Sequence, residues 1–357
     1  MKSYKDFELA LPTWLINEWL PLGHKVMDTA PEGSFKTKLG IWIAVCVAAG
    51  VPVFGRDVCQ GPAVIIDEET PETSLDNDIN RFCQGIGVKF NRNFPLYRFS
   101  MTGFRFGVKS CMTDILNIVR LIRPVYIRMD SLIAMLPTGK NGITENTSYI
   151  GEIIRDDLNT ILKAGNNNCT ILLAAHSKKM VGTMTLHEVE EKDMQVMVRG
   201  HSSIVGEGCD TGLAIHKETK YPDPTRFSVI TKPRRLGIPA SRKPMLVELQ
   251  EETYAGNGWA RLIQVDNSLI PPTKNAISLY KFFDQQAAGG GYIVHTSETI
   301  VRKNAFMSKS EIKEAMNDLF HNKVILNGPR PQQYVMNPDE SQIEKYYLDI
   351  LKTTKVI

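Results

Sequence analysis

The sequence lacks paired cysteines, the usual mark of a zinc site or a disulfide framework. Its six cysteines are isolated from one another, and no C-x-x-C pair occurs. We therefore expect neither a zinc site of that type nor a disulfide-stapled fold. The thiols stand mostly among apolar residues, which is typical of buried cysteines in a protein of the reducing cytoplasm.

A hydrophobic run suited to crossing a membrane is also missing. The most apolar run, residues 39–54, is short for a membrane span and ends in Gly50 and Pro52. Residues 1–8 lack the basic and then apolar layout of a signal peptide. These absences predict a cytoplasmic protein with no membrane segment.

The chain has no large surplus of charge of either sign. Its formal net charge is +3, which neither requires nor excludes nucleic acid as a partner, because a basic surface can be local. Of its 357 residues, 43% are hydrophobic and 23% are charged, which is ordinary for a globular protein and allows about two domains. We find no internal repeat and no low-complexity tract.

One segment carries a chemical signal, a degenerate phosphate-binding loop of the form G-x-x-x-x-G-K-[ST]. Alanine replaces its first glycine and phenylalanine its second, and the loop is formed by Ala30, Pro31, Glu32, Gly33, Ser34, Phe35, Lys36 and Thr37. Backbone N–H groups of such a loop, with the following helix N-terminus, attract phosphate. Lys36 would reach the β- and γ-phosphates of ATP, and Thr37 would ligate Mg²⁺. The alternative is that Gly-Ser-Phe-Lys-Thr only begins a helix.

Acidic residues follow two apolar strands downstream of the loop. Asp67, Glu68 and Glu69 come after the strand 63–66, and Asp130 follows the strand 124–129. Phosphoryl transfer to water needs one group that orients the water and an acid that holds the metal. We assign the first role to Glu69 and the Mg²⁺ role to Asp130. Alternatively, the acids occupy a solvated turn or a helix N-terminus, and Asp130 is a helix N-cap.

Two further elements carry candidate catalytic groups. His176 ends the apolar strand 170–175, where it would face a nucleotide cleft and relay to a neighbouring loop, although a lone histidine is more often structural. The basic cluster that begins Lys232-Pro233-Arg234 would stabilise charge on a phosphoryl group bound to a neighbouring subunit. A solvated basic turn or a nucleic-acid contact explains this cluster equally well.

The order of apolar segments predicts an α/β fold with a mostly parallel sheet and a later antiparallel extension. Trp14, Leu15, Ile16, Trp19 and Leu20 recur at helical spacing, which predicts a helix within residues 1–25. Residues 180–198 predict a partly mobile loop. Pro271-Pro272 marks a linker, so we place an ATPase domain at 1–272 and a second domain at 273–357.

The second domain has the element order of a winged helix-turn-helix module. Helices are expected over 277–286 and 309–322, followed by a hairpin of 324–326 and 334–336. The helix 309–322 would read duplex DNA, or the module would dock another protein.

Taken together, residues 10–250 resemble the RecA-like P-loop ATPases of the RepA type, plasmid helicases related to the DnaB-type replicative helicases. The resemblance rests on Lys36-Thr37, on the run 49–55, on 64–72, on Met129-Asp130-Ser131-Leu132 and on the segment 172–179 ending in His-Ser-Lys-Lys. Further matches are Arg-Gly-His-Ser-Ser at 199–203 and the Lys-x-Arg finger at 232–234. The resemblance implies a RecA-like core, places the catalytic glutamate at Glu69, and makes 137–147 and 180–198 candidate DNA loops.

The resemblance also implies a function. The chain is expected to be an ATP- and Mg²⁺-dependent motor on single-stranded DNA, forming a hexameric ring that acts as a replicative helicase or translocase of a plasmid, phage or other mobile element. The C-terminal module would bind a replication partner. Two alternatives stay open: an ATP-switched DNA-binding replication or partition factor, and a strand-exchange filament ATPase.

Overall fold

The computed structural model describes residues 13–137, 144–184, 186–217, 225–233, 244–254 and 257–265, with single residues and two short strands beyond them. The chain divides into two compact units, Met1–Gln264 and Val265–Ile357. In the second unit, the strands β12 (Ile325–Asn327) and β13 (Tyr334–Met336) pair antiparallel, as the sequence predicts. The winged-helix assignment for 273–357 otherwise lies outside the described residues and stays a prediction.

The first unit contains eleven strands and seven α-helices among its described residues. The strands are β1 (Trp14–Ile16), β2 (Leu20–Pro21), β3 (Lys25–Ala30), β4 (Ala63–Asp67), β5 (Leu96–Ser100), β6 (Tyr126–Asp130), β7 (Thr170–His176), β8 (Thr211–Lys217), β9 (Arg226–Pro233), β10 (Met245–Tyr254) and β11 (Asn257–Gln264). The helices are α1 (Lys36–Ala49), α2 (Glu72–Gly85), α3 (Lys109–Ile122), α4 (Ile150–Ala164), α5 (Leu186–Glu191), α6 (Met194–Met197) and α7 (Ser203–Gly208).

Nine of these strands form one sheet, in the order β11-β10-β9-β8-β3-β7-β6-β4-β5. The strands from β8 to β5 run parallel, whereas β9, β10 and β11 extend the sheet with antiparallel pairings. The predicted α/β class, with a mostly parallel sheet and an antiparallel extension, is therefore confirmed. The carboxyl ends of β3, β4, β6 and β7 meet at one edge, where a ligand site of a parallel sheet forms.

The sheet is covered on both faces, which explains why its parallel strands are continuous apolar runs. Neighbouring residues alternate between the faces, so Val26 packs in the cluster that contains α1 and Met27 in the cluster that contains α4. Helix α1 is apolar on all sides and is buried along most of its length. Its position beside the sheet holds the preceding loop at the carboxyl edge.

The predicted N-terminal helix is wrong. Residues 14–21 form the antiparallel pair β1 and β2, and Glu18 between them adopts a φ of 54°. The segment is fixed by distant partners, because Cys59 N donates to Leu15 O at 2.8 Å and the Trp19 indole donates to Thr231 Oγ1 at 3.1 Å. The apolar residues of β1 and β2 are separated by a turn, and their spacing along the sequence is the same as that of one face of a helix.

The expectation of a mobile loop over 180–198 is also wrong. A 3₁₀ helix spans Lys179–Thr183, and α5 and α6 follow it. Met194 and Met197 are buried in the core and are packing residues, whereas Met180 is exposed. Asp193 begins α6 by accepting a hydrogen bond from Gln195 N.

The cysteines are free thiols, as their spacing predicts. Four are buried, namely Cys46, Cys83, Cys169 and Cys209. Burial raises the pKa of Cys83 to about 12, so its thiol stays protonated at neutral pH. Among the described residues, no helix combines the length and the apolar character needed to span a membrane.

Candidate nucleotide-binding site

The predicted phosphate loop connects the end of β3 to the start of α1. Gly33 and Phe35 adopt φ angles of 72° and 60°, and a Cβ added to Gly33 would meet no atom within 4 Å. Two left-handed residues so close together turn the backbone sharply. The loop is therefore open on one side, as a cradle for phosphate must be.

Phe35 stands where the usual loop has its second glycine, and it takes the left-handed conformation that glycine favours. Such a conformation costs a bulky residue about 1–3 kcal/mol. The Phe35 ring stacks on Phe227 of β9, with centroids 4.9 Å apart and an interplanar angle of 14°. Lys217 Nζ lies 5.9 Å from the centroid of Phe35. These contacts offset the strain and tie the loop to the antiparallel part of the sheet.

Lys36 is buried at the base of the loop, with 7% of its surface exposed. Its ammonium donates to Ala30 O at 3.0 Å and to Pro31 O at 3.4 Å. It forms no ion pair with a carboxylate in the described part of the chain. Burial lowers the pKa of Lys36, and the nearby charges of Asp28 and Asp130 oppose that shift. An anionic partner such as a phosphate would therefore stabilise the buried ammonium.

Thr37 and Asp130 are brought together from separate parts of the chain. The Thr37 hydroxyl donates to Asp130 Oδ2 at 2.9 Å, across 93 positions of sequence. A hydroxyl beside a carboxylate is the oxygen donor set that Mg²⁺ prefers, with water and phosphate completing its shell. The two residues predicted to hold the metal therefore fit it.

The two glutamates after β4 have different environments. The Glu68 carboxylate accepts hydrogen bonds from the backbone N–H groups of Thr102, Gly103 and Phe104, at 3.1, 2.9 and 3.1 Å. Its side chain is only 3% exposed and also pairs with Arg105. Glu68 thus anchors the loop after β5, and both oxygens of its carboxylate already accept hydrogen bonds from that loop.

Glu69 instead faces the ends of β6 and β7. Its Oε1 accepts a hydrogen bond from the Ser131 hydroxyl and lies 3.5 Å from His176 Nε2. The hydrogen bond with His176 is the main cause that lowers the pKa of Glu69, with Ser131 and the charge of Lys36 acting in the same direction against burial. An ionised carboxylate at this edge can orient or accept a proton from water. The geometry thus favours Glu69 over Glu68 for the catalytic role.

His176 therefore lies beside Glu69, at the carboxyl edge of the sheet. Its Nδ1 is buried and has no hydrogen-bond partner among the described residues. Among the described residues, the imidazole therefore makes its side-chain contact through Nε2, with the Glu69 carboxylate.

The structure does not bring Lys232 to the phosphate loop of its own chain. Lys232 pairs with Gly212, and Gly212 pairs with Met27, which lies three residues before the carboxyl end of β3. Its ammonium donates to the Glu190 carbonyl at the end of α5, and burial lowers the pKa of Lys232. Arg234 lies outside the described residues. Lys232 is therefore engaged with α5 and is not part of the phosphate site of its own chain as described.

Two buried charges at this edge were missed by the sequence reasoning. Arg128 donates to Asp28 Oδ1 at 2.8 Å and to Asp130 Oδ2 at 3.0 Å. The signal was Arg128 within an otherwise apolar strand, together with Asp28 in the strand that leads to the phosphate loop. Charges inside doubly covered strands must find each other, because an unpaired one is costly.

Comparison with known proteins identifies the family. A family model described as an AAA domain matches residues 3–181, which is half of the chain. The chain belongs to the AAA domain family. Its open loop, buried lysine and acid-tipped strands fit a P-loop ATPase of that family. A search of curated proteins gave no match.

Among solved structures, a KaiC-like protein from the archaeon Pyrococcus horikoshii is similar at 15% identity. The match covers 71% of this chain and 94% of that chain, with a TM-score of 0.43.

Proposed function

We propose that this ATPase is a motor on single-stranded DNA that works as a hexameric ring, as a replicative helicase or translocase does. ATP with Mg²⁺ binds at the loop, with Lys36 on the phosphates and with Thr37 and Asp130 at the metal. Glu69 orients the attacking water. Lys232 and Arg234 reach the nucleotide of the neighbouring subunit, and the C-terminal module binds a replication partner.

The observation that carries the proposal is the way the segment after β7 is attached to the site. Residues 178–198 leave the sheet at His176 and return beside it, because Arg199 N donates to His176 O at 2.9 Å and Lys178 N donates to Met197 O at 2.8 Å. A change at His176 on hydrolysis therefore moves both ends of this segment. A segment held at both ends beside the site can convert a change at the phosphates into a movement of a ligand-binding surface.

The second candidate DNA segment meets the first at its end. Arg199 Nε donates to Glu145 Oε1 at 2.7 Å, and His201 N donates to Glu145 O at 2.7 Å. Glu145 belongs to the candidate segment 137–147, of which residues 138–143 lie outside the description. This contact supports a common DNA surface that both segments form. Exposed Lys179 can contact a phosphate backbone, and Arg199 can do so when DNA replaces Glu145 as its partner.

The test is ATP turnover with and without single-stranded DNA. We expect single strands to stimulate the wild type about fivefold or more, a coupling of ordinary size, while duplex DNA has less effect. Arg199→Ala should lose most of the stimulation but keep basal turnover, since Arg199 lies outside the nucleotide site. Arg120→Ala, an exposed arginine at the opposite end of the sheet, is the matched control and should behave as wild type.

Other outcomes identify the alternatives. Negligible turnover with tight binding to a duplex site would favour an ATP-switched replication or partition factor. Stimulation by single strands without any unwinding, together with filaments in electron micrographs, would favour a strand-exchange ATPase. Turnover that ignores DNA of every kind would remove the DNA role altogether.

A further inference from the structure

A buried arginine lies between the phosphate loop and the candidate metal site. Arg128 is 1% exposed, and its guanidinium bridges Asp28 of β3 and Asp130 of β6. These two strands are not neighbours, because β7 lies between them. The bridge therefore spans a whole strand beneath the loop.

Small residues make room for this bridge on two sides. Asp28 pairs with Ala174 on the intervening strand, and the small methyl group at that position leaves space for the guanidinium. Above it, Gly40 of α1 packs against Arg128, and a Cβ at Gly40 would lie 2.5 Å from Arg128 Nε and 2.8 Å from Cζ. A larger residue at either position would displace the arginine.

The bridge is not arranged for stability alone. Asp28 Oδ2 and Arg128 Nε have no hydrogen-bond partner in the described structure. Buried ion pairs that are only partly satisfied contribute little net stability, and apolar residues often replace them without loss. The arrangement therefore calls for a reason other than folding.

That reason lies in the Asp130 carboxylate. Both of its hydrogen bonds go to the same oxygen, since Arg128 and Thr37 each donate to Oδ2. Two donors fix the carboxylate in rotation, which directs Oδ1 away from them. An oxygen held in this way is preorganised for a cation and its water shell.

We infer that Arg128 is a positioning residue for the metal site, which orients Asp130 from beneath while Asp28 holds the guanidinium and Gly40 leaves space for it. This inference rests on the proposed Mg²⁺ role of Asp130. It predicts that moving the guanidinium, with no charge removed, weakens the contribution of Mg²⁺ to ATP binding.

Gly40→Ala is the sharpest variant, because its Cβ pushes on Arg128 while every charge remains. The experiment measures the dissociation constant of a fluorescent ATP analogue in EDTA and in Mg²⁺, and Mn²⁺ binding by electron paramagnetic resonance. We expect the ratio of the dissociation constant in EDTA to that in Mg²⁺ to fall about tenfold. This is a common size for the loss of an outer-shell partner. The constant in EDTA should stay within about twofold. Gly206→Ala in α7, where a Cβ meets only Gln195 Nε2 at 3.5 Å, is the matched control and should keep the wild-type ratio.

Arg128→Lys provides a second route if Gly40→Ala fails to fold. A lysine keeps the charge but cannot span two carboxylates with a fork of donors, so it should lower the ratio as well. Wild-type ratios and Mn²⁺ binding in whichever of these variants fold would overturn the inference. Asp130→Asn distinguishes a failure of the positioning role of Arg128 from a failure of the metal role of Asp130. If it lowers the ratio while the folded Gly40 and Arg128 variants do not, only this inference fails; if it keeps the wild-type ratio, the metal role of Asp130 fails with it.

Discussion

The two ends of β3 each bury a lysine, and the two lysines are held in opposite ways. Lys25 at the amino end donates to Asn159 Oδ1 at 2.9 Å and lies 4.0 Å from Asp210 Oδ1. Lys36, just past the carboxyl end, donates only to the carbonyl oxygens of Ala30 and Pro31 among the described residues. Their exposed fractions are almost equal, at 5% and 7%.

The comparison teaches that burial alone does not identify a functional charge. A buried ammonium with acidic and amide side-chain partners is part of the structure, because its cost is met within the fold. A buried ammonium that rests on carbonyl oxygens keeps an unmet preference for an anion. Further groups without a complete set of partners in the described structure lie near the carboxyl end of the sheet, among them Asp28 Oδ2 and His176 Nδ1.

The largest effect is expected from replacing each lysine by methionine, which keeps the length of the side chain. Lys36→Met should lower kcat/KM for ATP about 10³-fold, since it removes a charged donor from the transferring phosphate. Unfolding of the ligand-free protein should change little, because no ion pair is broken. The measurements are steady-state ATP turnover and denaturant unfolding.

Lys25→Met should show the reverse pattern. It leaves Asn159 and Asp210 without this donor, which should lower the free energy of unfolding by about 1–3 kcal/mol. Turnover at a temperature where the variant is folded should match wild type. Equal effects of the two substitutions on ATP turnover would contradict the comparison.

The adjacent glutamates sharpen the same distinction. Glu69→Gln should lower kcat about 10²-fold and leave ATP affinity close to wild type, because it removes the ionised group that faces the water. Glu68→Gln should act mainly on the loop after β5, since an amide cannot replace a carboxylate that accepts from three N–H groups. Rapid-quench kinetics measure the chemical step, and limited proteolysis reports on that loop. If the chemical step were slower in Glu68→Gln than in Glu69→Gln, the catalytic residue would be Glu68 and not Glu69.

A smaller effect is expected at Phe35. Glycine accepts a φ of 60° without strain, so Phe35→Gly should preserve the path of the loop and keep ATP affinity within about threefold. The stacking on Phe227 is lost, so the melting temperature should fall by a few degrees, equivalent to about 1 kcal/mol. Calorimetry and ATP titration measure both quantities. A large loss of affinity would mean that the ring itself contacts the nucleotide.

A last effect appears only in acid and concerns a histidine that the fold keeps neutral. Burial lowers the pKa of His216 to about 4, whereas an unfolded histidine has a pKa near 6.5. Stability is therefore full above pH 6.5 and is lost as the pH falls towards 4. At pH 5 the loss is about 2 kcal/mol, from roughly 1.5 units at 1.36 kcal/mol each. His216→Gln should remove this part of the acid sensitivity in urea unfolding at pH 7.5 and 5, and an unchanged difference would contradict it.

Much of the fold could be predicted, because buried parallel strands are continuous apolar runs and helices have their own spacing. The predicted strand 63–66 is Ala63–Asp67, the strand 124–129 is Tyr126–Asp130, and the strand 170–175 is Thr170–His176. The side chains of Glu69 and His176 meet because parallel strands end at a common edge. This rule needs only the order of the strands.

The rest depended on partners far away in the chain. Arg128 is explained by Asp28, one hundred positions earlier, and no local pattern pairs them. The β1–β2 pair is fixed by residues 57–59 and by Thr231, so its helical spacing was misleading. Likewise, Glu68 has different hydrogen-bond partners from Glu69 because the loop after β5 folds back onto Glu68.

The most direct test is a structure of the wild-type protein with Mg²⁺ and a non-hydrolysable ATP analogue. The account predicts that Lys36 Nζ leaves the Ala30 and Pro31 carbonyls for the phosphates, with the γ-phosphate facing Glu69 and the metal beside Thr37 and Asp130. A triphosphate bound elsewhere, or Lys36 still resting on those carbonyls with the analogue bound, would contradict it.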